Sequence, residues 1–247
     1  MFPPAYINLY KTGKLLERIE KAQNLLKECQ ICPRRCKVNR LENKMGVCKV
    51  GRLPKVSSYN PHFGEELPLV GTHGSGTIFI TSCNLGCVFC QNYEISHLGE
   101  GFEVSSERFA QMMIELQNMG CHNINFVTPT HVVPQILEAL LIAVREGLKI
   151  PLVYNTGGYD LVETLQLLEG VFDIYMPDFK LWDARHSLKY LLARDYPSFA
   201  RRVIKAMHSQ VGALKADEDG IAVKGVLVRH LVMPGLLEDT RHFNPFF

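Results

Sequence analysis

A chain of 247 residues with 47% hydrophobic and 21% charged residues has the make-up of a folded protein, which excludes wholesale disorder. It is long enough for one large α/β domain and a small appendage. The net charge of +2 conceals an asymmetry: residues 1–60 hold 13 Lys and Arg against 4 Asp and Glu, while the remainder holds 14 against 21. A basic head on an acidic body suits an acidic partner. No aromatic residues are interleaved with that charge, which argues against nucleic acid. No apolar run approaches the ~20 residues of a membrane helix, and Met-Phe-Pro-Pro-Ala-Tyr lacks the basic and apolar stretches of a secretory signal. Eight cysteines in tight spacings then read as metal ligands in a reducing compartment, and a cytoplasmic location is expected.

In chain order, Leu15, Leu16, Ile19, Ala22, Leu25 and Leu26 recur at helical spacing and predict a helix over 14–28. It runs into CQICPRRCKVNRLENKMGVC, residues 29–48, where Cys29, Cys32, Cys36 and Cys48 suffice for a closed tetrahedral thiolate site. Zinc-ribbon knuckles repeat C-x2-C on both sides and this segment does not, while Cys32-Pro33 is similar to a ferredoxin loop. Zinc and an auxiliary iron–sulfur cluster both remain open. The Gly- and Pro-rich stretch NPHFGEELPLVGTHGSG is expected to be loop. The expected organisation is a metal-binding head at 1–60, a linker at 61–76 and a body at 77–247.

Within the body, apolar runs at 77–81, 124–128, 151–155, 171–177 and 226–233 predict strands. Between them, helices are expected over 105–119, from Pro134 to Gly147, from an Asp160/Glu163 capping box to Gly170, and along Phe199, Val203, Met207 and Val211. Alternating strand and helix predicts a parallel sheet with crossover helices, whose function gathers at the C-terminal strand ends. The segments there are TSCNLGCVFC, TPTH, NTGGYD, PDFK and RHLVMPG. Cys121, with no spaced partner, is expected to be a core thiol, and His62, His73 and His230 ordinary residues.

Cys83, Cys87 and Cys90 follow C-x3-C-x2-C directly after the first strand, with no fourth cysteine nearby. Three thiolates leave one iron of a [4Fe–4S] cluster with an open position, the logic by which catalytic metal sites keep a vacancy. A zinc site completed by His97 is the competing reading. With an aromatic, Phe89, before the last cysteine, the loop resembles that of the radical S-adenosylmethionine (SAM) superfamily. Together with CQNYEISHLGEG, NINFVTPTH, VYNTGGYD, IYMPDFK and VRHLVMPG, the chain from 29 to 240 is similar to the branch related to pyruvate formate-lyase activating enzymes, in particular its PflX-like members.

The resemblance implies a partial (β/α) barrel in which SAM chelates the unique iron. Cleavage driven by one low-potential electron then yields a 5′-deoxyadenosyl radical for hydrogen abstraction. A reductant such as flavodoxin or ferredoxin is implied, and a glycine on a partner protein is the substrate by analogy. Asp178 and Lys180 match the Asp-x-Lys motif near the methionine moiety and the substrate, and Arg229 with Pro234-Gly235 matches Arg-x-x-x-x-Pro-Gly. The Phe89 backbone falls where adenine is met, and Asn155 joins Thr128 among the expected SAM contacts. Asp178 and Lys180 also suit a plain ion pair, being two apart on a strand, and Asn155–Gly158 suits a plain turn. Where the relatives carry Gly-Gly-Glu, this chain has Thr128-Pro129-Thr130-His131, so a hydroxyl replaces a carboxylate. Alternative outcomes are modification of another peptide or a small molecule, and an iron–sulfur module without turnover. Finally, five strand openings where the resemblance implies six suggest a C-terminally short barrel. Residues 226–233 are then expected to form an unpaired edge strand, followed by a tail, 242–247, too short for a helix or strand.

Overall fold

The computed structural model describes residues 3–243. Two helices, α1 (Ala5–Lys11) and α2 (Lys14–Lys27), are separated by Gly13, whose φ of 74° places it in the left-handed region. Helix α2 buries Leu15, Ile19, Ala22 and Leu26, the stripe expected from the spacing, and leaves Leu16 exposed. After the cysteine segment come strand β1 (Lys55–His62), helix α3 (Leu67–Val70), strand β2 (Ser75–Ile80) and a short β3 (Phe102–Glu103). The alternating part follows as α4 (Ser106–Asn118), β4 (Ile124–Val127), α5 (Val133–Arg145), β5 (Leu152–Thr156), α6 (Val162–Leu168), β6 (Ile174–Phe179), α7 (Ala184–Leu191) and α8 (Tyr196–Val211). The hairpin β7 (Lys215–Ala216) and β8 (Ala222–Val226), the short β9 (Arg229–His230) and α9 (Leu237–Phe243) complete it.

The strands order as β3-β1-β2-β4-β5-β6-β8-β7, with β9 beside β6. Strands β2, β4, β5, β6 and β8 run parallel, so the five-stranded partial barrel expected from the sequence is present. Because strand side chains alternate, each strand divides its residues between two cores. On the helix-covered face, Tyr154 and Tyr175 join Phe109, Phe126 and Phe172 in edge-to-face and tilted contacts. On the other face, Val153, Ile174 and Met176 pack with Ala222 and with Leu69 of α3. The segment that carries α3 therefore closes over the inner face of the sheet.

Several expectations change. The stretch read as a loop linker holds the end of β1, all of α3 and the start of β2, and β1 pairs antiparallel with β2 from Val56 to His62. Asp160 does not cap α6: Leu161 stands at that position, and buried Asp160 accepts hydrogen bonds from the Tyr154 hydroxyl (2.8 Å) and Thr156 Oγ1 (2.6 Å). The run 226–233 is not one edge strand. Strand β8 ends at Val226 and is covered on its outer side by β7, β9 pairs parallel with β6, and Leu231 and Val232 lie exposed. Residues 242 and 243, placed in a tail too short for a helix, belong to α9; the rest of that tail, 244–247, lies outside the described residues. Cys121 is a buried core thiol as expected.

Buried Asp173 at the foot of β6 accepts the Ala5 N–H at 2.9 Å through Oδ1, while Oδ2 has no partner. Burial raises its carboxyl to about 6. A carboxyl raised above its unfolded value of ~3.9 penalises the fold above the raised value, and the penalty fades as pH falls below it. Asp173→Asn, which keeps the acceptor without the charge, should therefore stabilise the protein by on the order of 1 kcal/mol at pH 8. Thermal melts should show the advantage shrinking toward pH 5, and a variant less stable than the parent at pH 8 would contradict this reading.

Candidate functional site

At the C-terminal end of β2 the chain turns through Ser82, whose φ of 73° is costly for an L-residue. The cysteine loop follows at once. Its backbone is pinned to the end of α7, with Gly86 N–H donating to the Leu191 carbonyl and Val88 N–H to that of Tyr190, both at 3.0 Å. Leu85 N–H points at Cys83 Sγ (3.3 Å), and Cys90 Sγ lies 3.1 Å from Ser96 Oγ. His97, the alternative zinc ligand, engages Ser96 through Nδ1 and stacks on Tyr93. The three thiols lie within electrostatic range of one another. Burial pushes Cys83 up to about 12, and the Cys87 and Cys90 thiols push the same way. Cys87 rises to about 11 through burial, opposed by the Lys180 ammonium. Phe89 is half-buried against the cluster that includes Leu85 and Phe179.

The neighbouring strand ends complete the opening. Thr128 follows β4 with φ 62°, a second strained strand exit beside Ser82, and its N–H donates to the Asn155 carbonyl (2.8 Å). Thr130 is unavailable as a SAM contact, because it is buried against Thr156 Oγ1 at 3.1 Å in the Asp160 network. The Asn155–Gly158 turn lies against both the cysteine loop and Lys180: a Cβ at Gly157 would stand 3.2 Å from Leu85 and 3.7 Å from Lys180 Cε. Gly158, at φ 78°, is required, since a Cβ there would meet the Asp178 carbonyl at 2.3 Å.

Asp178 near the end of β6 and Lys180 just past it form the ion pair their spacing allows, Lys180 Nζ to Asp178 Oδ2 at 2.6 Å. Register with β9 sets Arg229 opposite Asp178, and Arg229 Nε reaches Oδ1 at 2.8 Å. Arg229 also donates to Asn155 Oδ1 (2.7 Å). Burial alone would raise Asp178, but Lys180 and Arg229 outweigh it and hold the carboxyl below its ordinary range. Burial likewise disfavours the Lys180 ammonium, and Asp178 reverses this, leaving it above the usual value. Tyr196 fixes the backbone beneath, donating to the Asp178 carbonyl and accepting from Lys180 N–H, each at 2.9 Å. Cys87 feels both Lys180 and Asp178, so the charged group and the thiol loop share one space.

One member escaped sequence reading. Glu65 stands 3.6 Å from Arg229 Nη1, and its Oε1 accepts from Asn155 Nδ2 at 3.4 Å. Burial raises its carboxyl, with Arg229 opposing. It sits in GEELP, where nothing in spacing or periodicity marks it.

The profile of the Radical SAM superfamily matches residues 77–242, two thirds of the chain and every element just described from β2 to α9. The chain belongs to the radical SAM superfamily. An uncharacterized protein of Methanocaldococcus jannaschii is 34% identical over 241 residues, covering 93% of this chain and 64% of its own. The chain thus spans less than two thirds of that relative. Radical SAM proteins bind a [4Fe–4S] cluster and SAM, and the donor set fits in kind: three soft thiols on one loop, with the Lys180 ammonium acting on Cys83 and Cys87. Among the described residues, no three His, Cys, Asp or Glu side chains are grouped to hold a metal ion. No helix among them is long and apolar enough to cross a membrane.

Proposed function

We propose that this radical SAM protein is an enzyme that reductively cleaves SAM and directs the resulting radical at a C–H bond of a polypeptide, in the manner of a glycyl-radical activase. The observation that carries the reading is the convergence of the Cys83–Cys90 loop with Asp178, Lys180 and Arg229 at one end of the parallel strands. Cys83, Cys87 and Cys90 would hold the cluster, which when bound supplies one low-potential electron to the sulfonium.

The chain's own residues bind and orient. Thr128 and Asn155 would contribute oxygen acceptors, Asn155 Oδ1 being held by Arg229, and Asp178, whose charge acts on Cys87, would be the carboxylate for an ammonium or a ribose hydroxyl. Lys180 and Arg229 keep Asp178 ionised and supply positive charge for a carboxylate. The half-buried Phe89 and Leu85 exclude water from one side.

A polypeptide substrate rests on likeness to the activating enzymes and is tested as such. The reconstituted protein, dithionite and SAM are mixed anaerobically with purified products of neighbouring genes and frozen for electron paramagnetic resonance. A protein-based glycyl doublet in one partner is expected. SAM cleavage that yields no protein radical with any of them, but alters a small molecule, would overturn the activase reading while leaving radical chemistry in place.

A further inference from the structure

The four head cysteines line one cavity together with Arg40 of the head, and that cavity is shared with Asn84 and His131 of the body. The backbone is bent hard to bring them there. Arg35, Lys37, Asn43 and Lys49 all adopt φ between 40° and 59°, a conformation that costs on the order of 1 kcal/mol or more per residue. Gly46 is packed so closely that a Cβ would stand 2.6 Å from Cys36 Sγ, and the following Val47 N–H donates to that sulfur at 3.4 Å.

The cavity also holds unmet polar groups. Arg40 is 1% exposed and has only carbonyl and sulfur partners: Gly51 O (3.1 Å), His131 O (2.7 Å) and Cys29 Sγ (4.0 Å). Its Nη2 has no partner, nor does Nδ1 of the equally buried His131. A buried guanidinium without a carboxylate is expensive. Four thiolates round a metal centre would supply the missing negative charge.

Asn84 decides what kind of centre. It follows Cys83, whose Sγ lies 3.9 Å from Asn84 Oδ1, its Nδ2 donates to the Tyr159 carbonyl at 2.7 Å, and it lines the head cavity together with Cys32. Arg34 of the head donates to the Asn84 carbonyl at 2.8 Å. One residue thus lies against a thiol of the loop and borders the cavity of the head. A cubane cluster holds its four thiolates farther apart than one tetrahedral zinc does. Zinc, moreover, has no redox chemistry to share across such a contact.

We propose that Cys29, Cys32, Cys36 and Cys48 hold a second [4Fe–4S] cluster, which relays electrons through Asn84 to the Cys83–Cys87–Cys90 centre. The acceptor half rests on the function proposed above. A low-potential one-electron donor reduces the head cluster from the 2+ to the 1+ state. The electron passes to the second cluster and the head returns to 2+, with no bond broken and no proton moved. The donor fits an acidic one-electron carrier, because residues 1–60 hold 13 Lys and Arg against 4 Asp and Glu, even though the exposed Arg35, Lys37 and Lys44 are each paired with a glutamate.

The test uses anaerobically reconstituted full chain. The parent should bind about eight irons, and Cys83→Ala/Cys87→Ala/Cys90→Ala and Cys36→Ser/Cys48→Ser about four each. Iron absent from the triple variant, with one zinc or no metal in its place, overturns the second cluster whether or not the head variant folds. If instead the triple variant keeps all eight, it is the acceptor reading that fails. Dithionite-reduced parent should show a spectrum broadened by coupling between two nearby spins, absent from both variants. A parent spectrum equal to the sum of the two variants' spectra overturns the relay.

Discussion

Replacing Cys83, Cys87 and Cys90 together with Ala should lower the iron bound by reconstituted protein by about four per chain and abolish SAM cleavage. The expectation follows from the loop. Its thiols act on one another electrostatically and sense the Lys180 ammonium, and burial holds Cys83 and Cys87 protonated well above neutrality unless positive charge arrives. Loss of visible absorbance near 400 nm should accompany the loss of iron, while the loop's backbone anchors to Leu191 and Tyr190 survive. The variant should therefore remain folded by circular dichroism. Unchanged iron and absorbance would assign the cluster elsewhere.

The second large effect is expected at the charged trio. Lys180→Met removes the ammonium from Asp178 but leaves Arg229 at 2.8 Å, so stability should fall modestly, on the order of 1 kcal/mol. Asp178→Asn leaves two cations facing each other without their carboxylate and should cost more, about 2–3 kcal/mol. Both should lower SAM affinity or uncoupled 5′-deoxyadenosine formation at least ~10-fold, equivalent to 1.4 kcal/mol in binding. The pH dependence has a definite sign. The depressed Asp178 contributes stability fully present above its unfolded value of ~3.9, and lost as pH falls through the lower folded value. The raised Lys180 contributes stability fully present below ~10.4 and lost as pH rises through its folded value. Affinity attributable to this pair should consequently be flat from about pH 5 to pH 9. Full affinity and activity in both variants would reduce the pair to a structural ion pair.

The alternating body was legible because each strand is buried on both faces and reads as an apolar run, and each crossover helix carries a full stripe. The cysteine spacings were legible because metal chemistry imposes them locally. The misses have other causes. Strand β1 alternates, but with Ser58, Asn60 and Pro61 in it, and it gains its place from pairing with β2 instead of from its own pattern. Asp160 looks like a cap in sequence because capping and burial both use aspartate; only Tyr154 and Thr156, facing it from β5, distinguish them. Glu65 and Arg40 acquire meaning from partners 164 and 91 residues away, Arg229 and His131, and periodicity carries no information at that range. The split of 226–233 follows from the pairing with β6, which β8 meets at Ile174 and Tyr175 and β9 only at Asp178 and Phe179.

The proposed function stands on reductive cleavage of SAM by this chain. The most direct measurement is anaerobic incubation of the reconstituted protein with dithionite and SAM, followed by chromatography for 5′-deoxyadenosine. The account predicts 5′-deoxyadenosine and methionine in equal amounts from the parent and none from the Cys83, Cys87 and Cys90 triple variant. Iron-loaded parent protein that releases no 5′-deoxyadenosine would contradict it and leave an iron–sulfur module without turnover.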